Sequence, residues 1–115
     1  MFTEDDIKRL VTAFYGRVRV DPVLGPIFAQ KIPDDQDAWD THMAHIGDFW
    51  SSIFLRTKRF TGNPMIKHTA IDGIDPSHFT HWLDLFSDTA SQVLNPGQHA
   101  AVTEMAERIA QSLQM

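Results

Sequence analysis

The chain has no cysteine. Disulfides, thiolate metal sites and cysteine nucleophiles are thereby excluded. Basic charge is also scarce: 10 Lys and Arg stand against 15 Asp and Glu, a formal net charge of −5. Phosphate backbones and anionic bilayers are repelled by such a surface on average, so the expectation is no nucleic acid and no membrane partner. Nowhere do about 18 apolar residues run together, the length that a membrane span requires. The first residues, MFTEDDIKR, are acidic and lack the apolar core of a signal peptide, which sets the expectation of a cytoplasmic protein. No stretch alternates with period two, so strands are not expected. G-x-S-x-G, a Gly-rich phosphate loop, H-E-x-x-H, Glu-x-x-His and a paired-carboxylate constellation are all missing, which argues against conventional hydrolases and di-iron bundles.

What is present is a helical pattern over 115 residues, 43% hydrophobic and 22% charged, read as a single all-α domain from 1 to 115. Thr3 with Asp6 three residues on predicts a capping box. Ile7, Leu10, Val11, Phe14, Tyr15 and Val18 then repeat at helical spacing, carrying the sole tyrosine toward the interior. Asp21-Pro22 and Gly25-Pro26 break the chain around an apolar corner with Phe28. From about Asp35 to Arg56 the stripe is Trp39, Met43, Ile46, Phe49, Trp50, Ile53 and Phe54. His42 falls about 50° from its centre and His45 about 110° away. Gly47, in mid-helix, calls for a backbone or a flat group approaching closely. Asp75-Pro76 starts another helix, with Phe79, Trp82, Leu83, Phe86, Ala90, Val93 and Leu94 on one side. His78 lies on its flank and His81 points outward, a surface residue. Asn95-Pro96-Gly97 stops one helix and starts the last, with Ala101, Val102, Met105, Ile109 and Leu113 inward. The expected inventory is four substantial helices and one or two short ones.

The segment TGNPMIKHTAI, Thr61 to Ile71, is the most unusual. Asn63 and Pro64 predict a helix start, and Gly73 and Pro76 allow no more than about two turns. A helix this short, presenting His68 beside Met65 and Ile66, needs a large partner or a bound group to hold it. Taken alone, His68 reads equally as a half-buried residue at a helix end. Just upstream, Arg56, Lys58 and Arg59 form either a solvated helix end or a seat for a carboxylate-bearing ligand. Tyr15, His42 and Trp82 converge from three helices, His68 comes from a fourth, and Phe14, Phe28, Phe49, Trp50 and Phe79 can line a flat apolar slot between them. A planar metallated ring suits that arrangement, with one axial His on one side and hydrogen-bond donors on the other.

Four segments carry a resemblance to a known family: FYGRVRVDPVLGPIF at Phe14–Phe28, W-x-x-H with IGDFW at Trp39–Trp50, RFTGNPMIKH at Arg59–His68, and HFTHWLDLF at His78–Phe86. In this order, over roughly Ile7 to Ile109, the chain resembles the truncated haemoglobins of the third group. The paired-Gly motifs common in the other two groups are absent. One departure is Phe60, where many relatives carry Tyr; a propionate hydrogen bond is not expected there, which leaves Arg59 as the contact. The resemblance implies a two-over-two helical sandwich, globin-like, with non-covalent haem b. It makes His68 the proximal iron ligand and places Tyr15, His42 and Trp82 in the distal pocket. Phe14, Phe28, Ile46, Phe49, Trp50, Arg59, Phe79 and Trp82 are then the cofactor's surroundings.

Under that resemblance His68 ligates as a neutral imidazole whose other nitrogen donates to a backbone carbonyl. Tyr15 O–H and Trp82 N–H donate to a partly negative diatomic ligand, O2, NO or CO. His42, nearer the stripe's edge, is expected to act as a swinging gate rather than a second ligand. Strong retention suits redox or NO-related chemistry better than oxygen delivery, with NO dioxygenation, peroxide turnover and a reductase-fed reaction as candidates, and an electron-donating reductase as partner. The small size and mixed surface allow a monomer. Two competing readings are a metal-free helical interaction module and a non-haem metal enzyme using His42/His45 or His78/His81.

Overall fold

In the computed structural model, which describes residues 2–58 and 75–113, every regular element is a helix: α1 (Glu4–Val20), α2 (Leu24–Ala29), α3 (Gln36–Phe54), α4 (Pro76–Val93) and α5 (Pro96–Leu113). The expected short helix with His68, the Arg59 end of the basic cluster and the side chain of Leu113 lie outside the described residues. Helix α1 packs on α2, α3 and α4, and α4 packs on α5. The result is the two-over-two sandwich, α1 with α3 and α4 with α5.

Local chemistry sets each boundary. Thr3 Oγ1 accepts the Asp6 N–H at 3.1 Å while Asp6 Oδ2 accepts the Thr3 N–H at 3.0 Å, so the capping box expected from sequence opens α1. The helix buries Ile7, Leu10, Val11, Phe14, Tyr15 and Val18, the whole predicted stripe. It stops at Asp21, whose ψ of 129° is the extended backbone that a following proline demands. The next turn, α2, lies so close to the end of α1 that a Cβ on Gly25 would meet the Arg19 carbonyl oxygen at 3.1 Å. Asp35 caps α3 through the Asp37 N–H at 3.0 Å. Asp75 caps α4 through the Ser77 N–H at 2.8 Å, with Pro76 behind it. Asn95 and Gln98 exchange backbone-to-side-chain bonds at 2.8 and 3.2 Å to start α5, and the buried Gln98 amide also donates to Asp6 at 3.1 Å.

Several expectations need correction. On α3 only Trp39, Trp50 and Ser51 are buried, while Met43, Ile46, Phe49, Ile53 and Phe54 are half-buried. The helix is pinned near its two ends and less covered in the middle. A Cβ on Gly47 meets no heavy atom within 4 Å among the described residues, so no described backbone makes the close approach, and the space beside it is open. On α5 the packed centre is Val102, Ala106 and Ala110, one position round from the predicted stripe, because alanines let α4 and α5 approach closely. Thr89 is buried without having been anticipated; it accepts from Arg17 Nη1 at 2.9 Å and donates to the Leu85 carbonyl at 2.8 Å. His81 is not a free surface side chain: it is half-buried and paired with Asp21. Beyond α3, Arg56 and Lys58 take φ of 57° and 61°, a left-handed backbone that long side chains seldom adopt.

Candidate functional site

Consecutive residues at the centre of α1, Phe14 and Tyr15, both point inward, and the rest of the site assembles on them. Tyr15 is 5% exposed. Its ring meets His42 of α3 edge-on at 4.9 Å and 86°, Phe28 of α2 at 5.9 Å and 71°, and Trp39 of α3 at 6.2 Å. Burial alone pushes the phenol far above its ordinary pKa, so it is neutral and can only donate or accept as O–H. Among the described residues no hydrogen bond reaches that hydroxyl. The ring is enclosed, yet the oxygen is not among the fully covered polar atoms that lack a partner, so it keeps access to a small open space.

His42 lies edge-on between Trp39 at 5.7 Å and Phe28 at 6.0 Å, with its Nε2 covered by protein. Arg19 closes the outer side of this cluster, its guanidinium 5.0 Å from the Trp39 ring. On the other side of Phe14, Trp82 of α4 packs edge-on to Phe14 at 5.6 Å and stacks on Phe86 at 5.3 Å and 9°. Phe86 stacks in turn on Trp50 at 5.5 Å and 15°, and Trp50 on Phe54 at 5.8 Å and 10°. Four nearly parallel rings thus run from the site through the sandwich, and they hold the Trp82 indole flat against a rigid support. Its N–H, like the Tyr15 hydroxyl, makes no hydrogen bond among the described residues.

The sequence-derived residues therefore separate into three sets. Tyr15, Phe28 and His42 touch one another, and Ile46, Phe49 and Trp82 pack against the same core; all but Tyr15 are half-buried. Phe14 and Trp50 are buried in the packed layer, in ring contact with Tyr15, Trp82 and Phe86; Phe79 is buried one turn before Trp82. Arg59 and His68 lie outside the described residues. Of the two H-x-x-H pairs, His78/His81 has other employment: His78 accepts the Asp75 N–H at 2.9 Å as part of a cap, and His81 faces Asp21. Among the described residues no three His, Asp or Glu side chains converge as a metal cluster, and no helix is long and apolar enough to cross a membrane.

Sequence reasoning missed the Asp21–His81 contact. Its local signal is only that Asp21 precedes a proline at a helix end; the partner arrives 60 residues later.

No family model matches the chain. It is 32% identical over 111 residues, 96% of its length, to a group 3 truncated hemoglobin, ctb, of Campylobacter jejuni, and covers 87% of that protein. The crystal structure of a group III truncated hemoglobin from the same organism superposes with a TM-score of 0.95, at 32% identity, over 99% of this chain and 90% of the other. The helix order, the two-layer packing and this similarity over nearly the whole length agree: the chain belongs to the group III truncated haemoglobins and has a haem-globin fold.

Proposed function

We propose that the chain would hold haem b non-covalently, with His68 as its iron ligand, and would retain a diatomic gas among Tyr15, His42 and Trp82. The observation that carries this reading is the Tyr15 hydroxyl, on a buried side chain and with no hydrogen bond from the described residues, separated by the Phe14 ring from a Trp whose N–H likewise makes none. The surroundings also fit the group: Phe28, Ile46, Phe49 and Trp82 present half-buried apolar faces of the kind a flat porphyrin covers.

When bound, the haem supplies an iron that takes up O2, NO or CO. The protein's own residues then do three things. Tyr15, whose phenol burial keeps protonated, would donate a hydrogen bond to a partly negative diatomic ligand, and Trp82 would offer its indole N–H as a second donor. Phe28, Trp39 and the Arg19 guanidinium over Trp39 exclude water from the Tyr15 side, which strengthens both bonds. His42, edge-on to Tyr15, is the side chain whose rotation opens the way in. Two donors on one small ligand favour slow release, so the proposed role is redox or NO-related chemistry with electrons from a reductase, carried out by a monomer in the cytoplasm.

The test is an absorption spectrum of the purified protein, loaded with haemin, reduced and exposed to CO. A sharp Soret band that shifts on CO and is lost or much weakened in His68→Ala supports the reading. A folded protein that takes up no stoichiometric haem overturns it.

A further inference from the structure

Three helices meet at one carboxylate. Asp21 closes the end of α1, and its Oδ2 accepts the N–H of Val23 at 3.0 Å and of Leu24 at 2.8 Å, which starts α2. His81 of α4 brings its Nε2 to 2.9 Å from both oxygens of the same group. The Asp21 side chain is 12% exposed and that of His81 39%, so solvent screens this pair less than it does Arg108–Glu104, at 68% and 65%. Burial would raise the Asp21 carboxyl, but the Leu24 N–H, His81 and the Val23 N–H outweigh it and hold the group below the ordinary carboxylate range.

Each of the three joined helices also carries one part of the site. Tyr15 is on α1, less than two turns before Asp21. Phe28 is on α2 and touches both Tyr15 and His42. Trp82 is on α4, the residue immediately after His81. A slide or rotation of α4 against α1 is resisted at His81, at one end of a seam that Arg17 also ties through Asp88 and Thr89. The same motion would shift Trp82 relative to Tyr15 across the Phe14 ring between them. Neither donor is held by a hydrogen bond of its own among the described residues, so helix placement sets the distance between them. Pocket donors must sit within about half an ångström of their working geometry to act together.

We propose that Asp21 and His81 form a positioning clasp that fixes the Trp82 indole relative to the Tyr15 phenol, and thereby sets how the two donors share one small ligand. The inference rests on the haem-pocket reading above. His81→Leu breaks the clasp and leaves Asp21 free to cap α2; His81→Gln keeps a donor of similar reach.

In the haem-loaded, CO-bound ferrous protein, His81→Leu broadens or splits the C–O stretching band and moves the indole N–H proton resonance of Trp82. O2 release rises about threefold, a fraction of the ~tenfold that loss of a whole hydrogen bond gives. His81→Gln restores all three readouts. Asp21→Asn reproduces His81→Leu, and the double variant adds nothing further, as expected of two partners in one contact. A wild-type C–O band and an unmoved Trp82 resonance in His81→Leu overturn the clasp, whatever that variant's stability. Should the wild-type chain take up no haem, the parent reading fails first. The Trp82 resonance then decides the clasp alone: movement in His81→Leu supports it, and its absence rejects it.

Discussion

Replacing Tyr15 by Phe should improve the fold and impair the site. The ring stays, with its edge contacts to Phe14 at 4.9 Å, His42 at 4.9 Å and Phe28 at 5.9 Å. Only the hydroxyl goes, and that oxygen, on a side chain 5% exposed, has no hydrogen bond from the described residues. A polar atom largely withdrawn from bulk water without a protein partner costs about 1–3 kcal/mol, and the small void left behind returns part of this. The net expectation is a gain of about 1 kcal/mol, or about 4 °C in the unfolding midpoint for a chain of this size. The ligand suffers the opposite effect. One good hydrogen bond in a dry pocket is worth about 1.4 kcal/mol, so O2 should leave roughly tenfold faster. Thermal unfolding of the ligand-free protein and stopped-flow O2 displacement measure the two quantities. A Tyr15→Phe protein that is less stable than wild type by 1 kcal/mol or more, with an unchanged O2 release rate, would refute the reasoning, because the hydroxyl would then have served the fold and not the ligand.

Other consequences follow from the same geometry. Gly25→Ala places a methyl 3.1 Å from the Arg19 carbonyl oxygen, so α2 must move off α1; about 1–2 kcal/mol should be lost in urea titrations. Lys58→Gly, by contrast, relieves a left-handed residue at φ 61°. That strain is worth about 1–2 kcal/mol, against 0.5–1 for the extra freedom of glycine when unfolded, so a net gain of about 0.5–1 kcal/mol should appear in the same titration. Asp6, Asp21 and Asp75 all titrate below the ordinary carboxylate value of 3.8 in the folded chain. Their contribution is complete above the unfolded value and is lost as pH falls through the lowered folded values, so stability should decline from about pH 4 downward. Asp21→Asn should flatten that acid limb, seen as a smaller difference in unfolding midpoint between pH 5 and pH 3.

The helices were legible because their signals are local. Thr3 and Asp6, Asp35, Asp75-Pro76 and Asn95-Pro96 cap helices in the structure as their chemistry requires. The inward set of α1 is the stripe read from its sequence. Weaker readings depended on what lies opposite. Ala106 and Ala110 carry little apolar signal, and only the approach of α4 makes them core. Gly47 suggested a close neighbour that the described residues do not supply. His81 points away from the apolar stripe of its own helix, which a helical wheel translates as solvent, yet the end of α1 stands on that side. Of the site, Tyr15, His42 and Trp82 were legible as inward polar-tipped side chains, and the structure brings Tyr15 against His42 and, through Phe14, next to Trp82. That Phe14 and Trp50 are the most deeply buried rings of the set could not be read from a wheel, since both faces of such a layer look equally apolar.

The placement of the tryptophans has an optical consequence. All three indoles in the chain belong to the ring assembly around Tyr15: Trp39 touches Tyr15 directly, Trp82 reaches it through Phe14, and Trp50 joins through Phe86. No indole stands apart to give a constant background, so the intrinsic emission of the protein comes wholly from this neighbourhood. A chromophore seated among these residues should quench the three together and in proportion to occupancy, whereas one adhering to the outer surface should leave most of the light. The unlabelled chain therefore carries its own gauge of what occupies its centre.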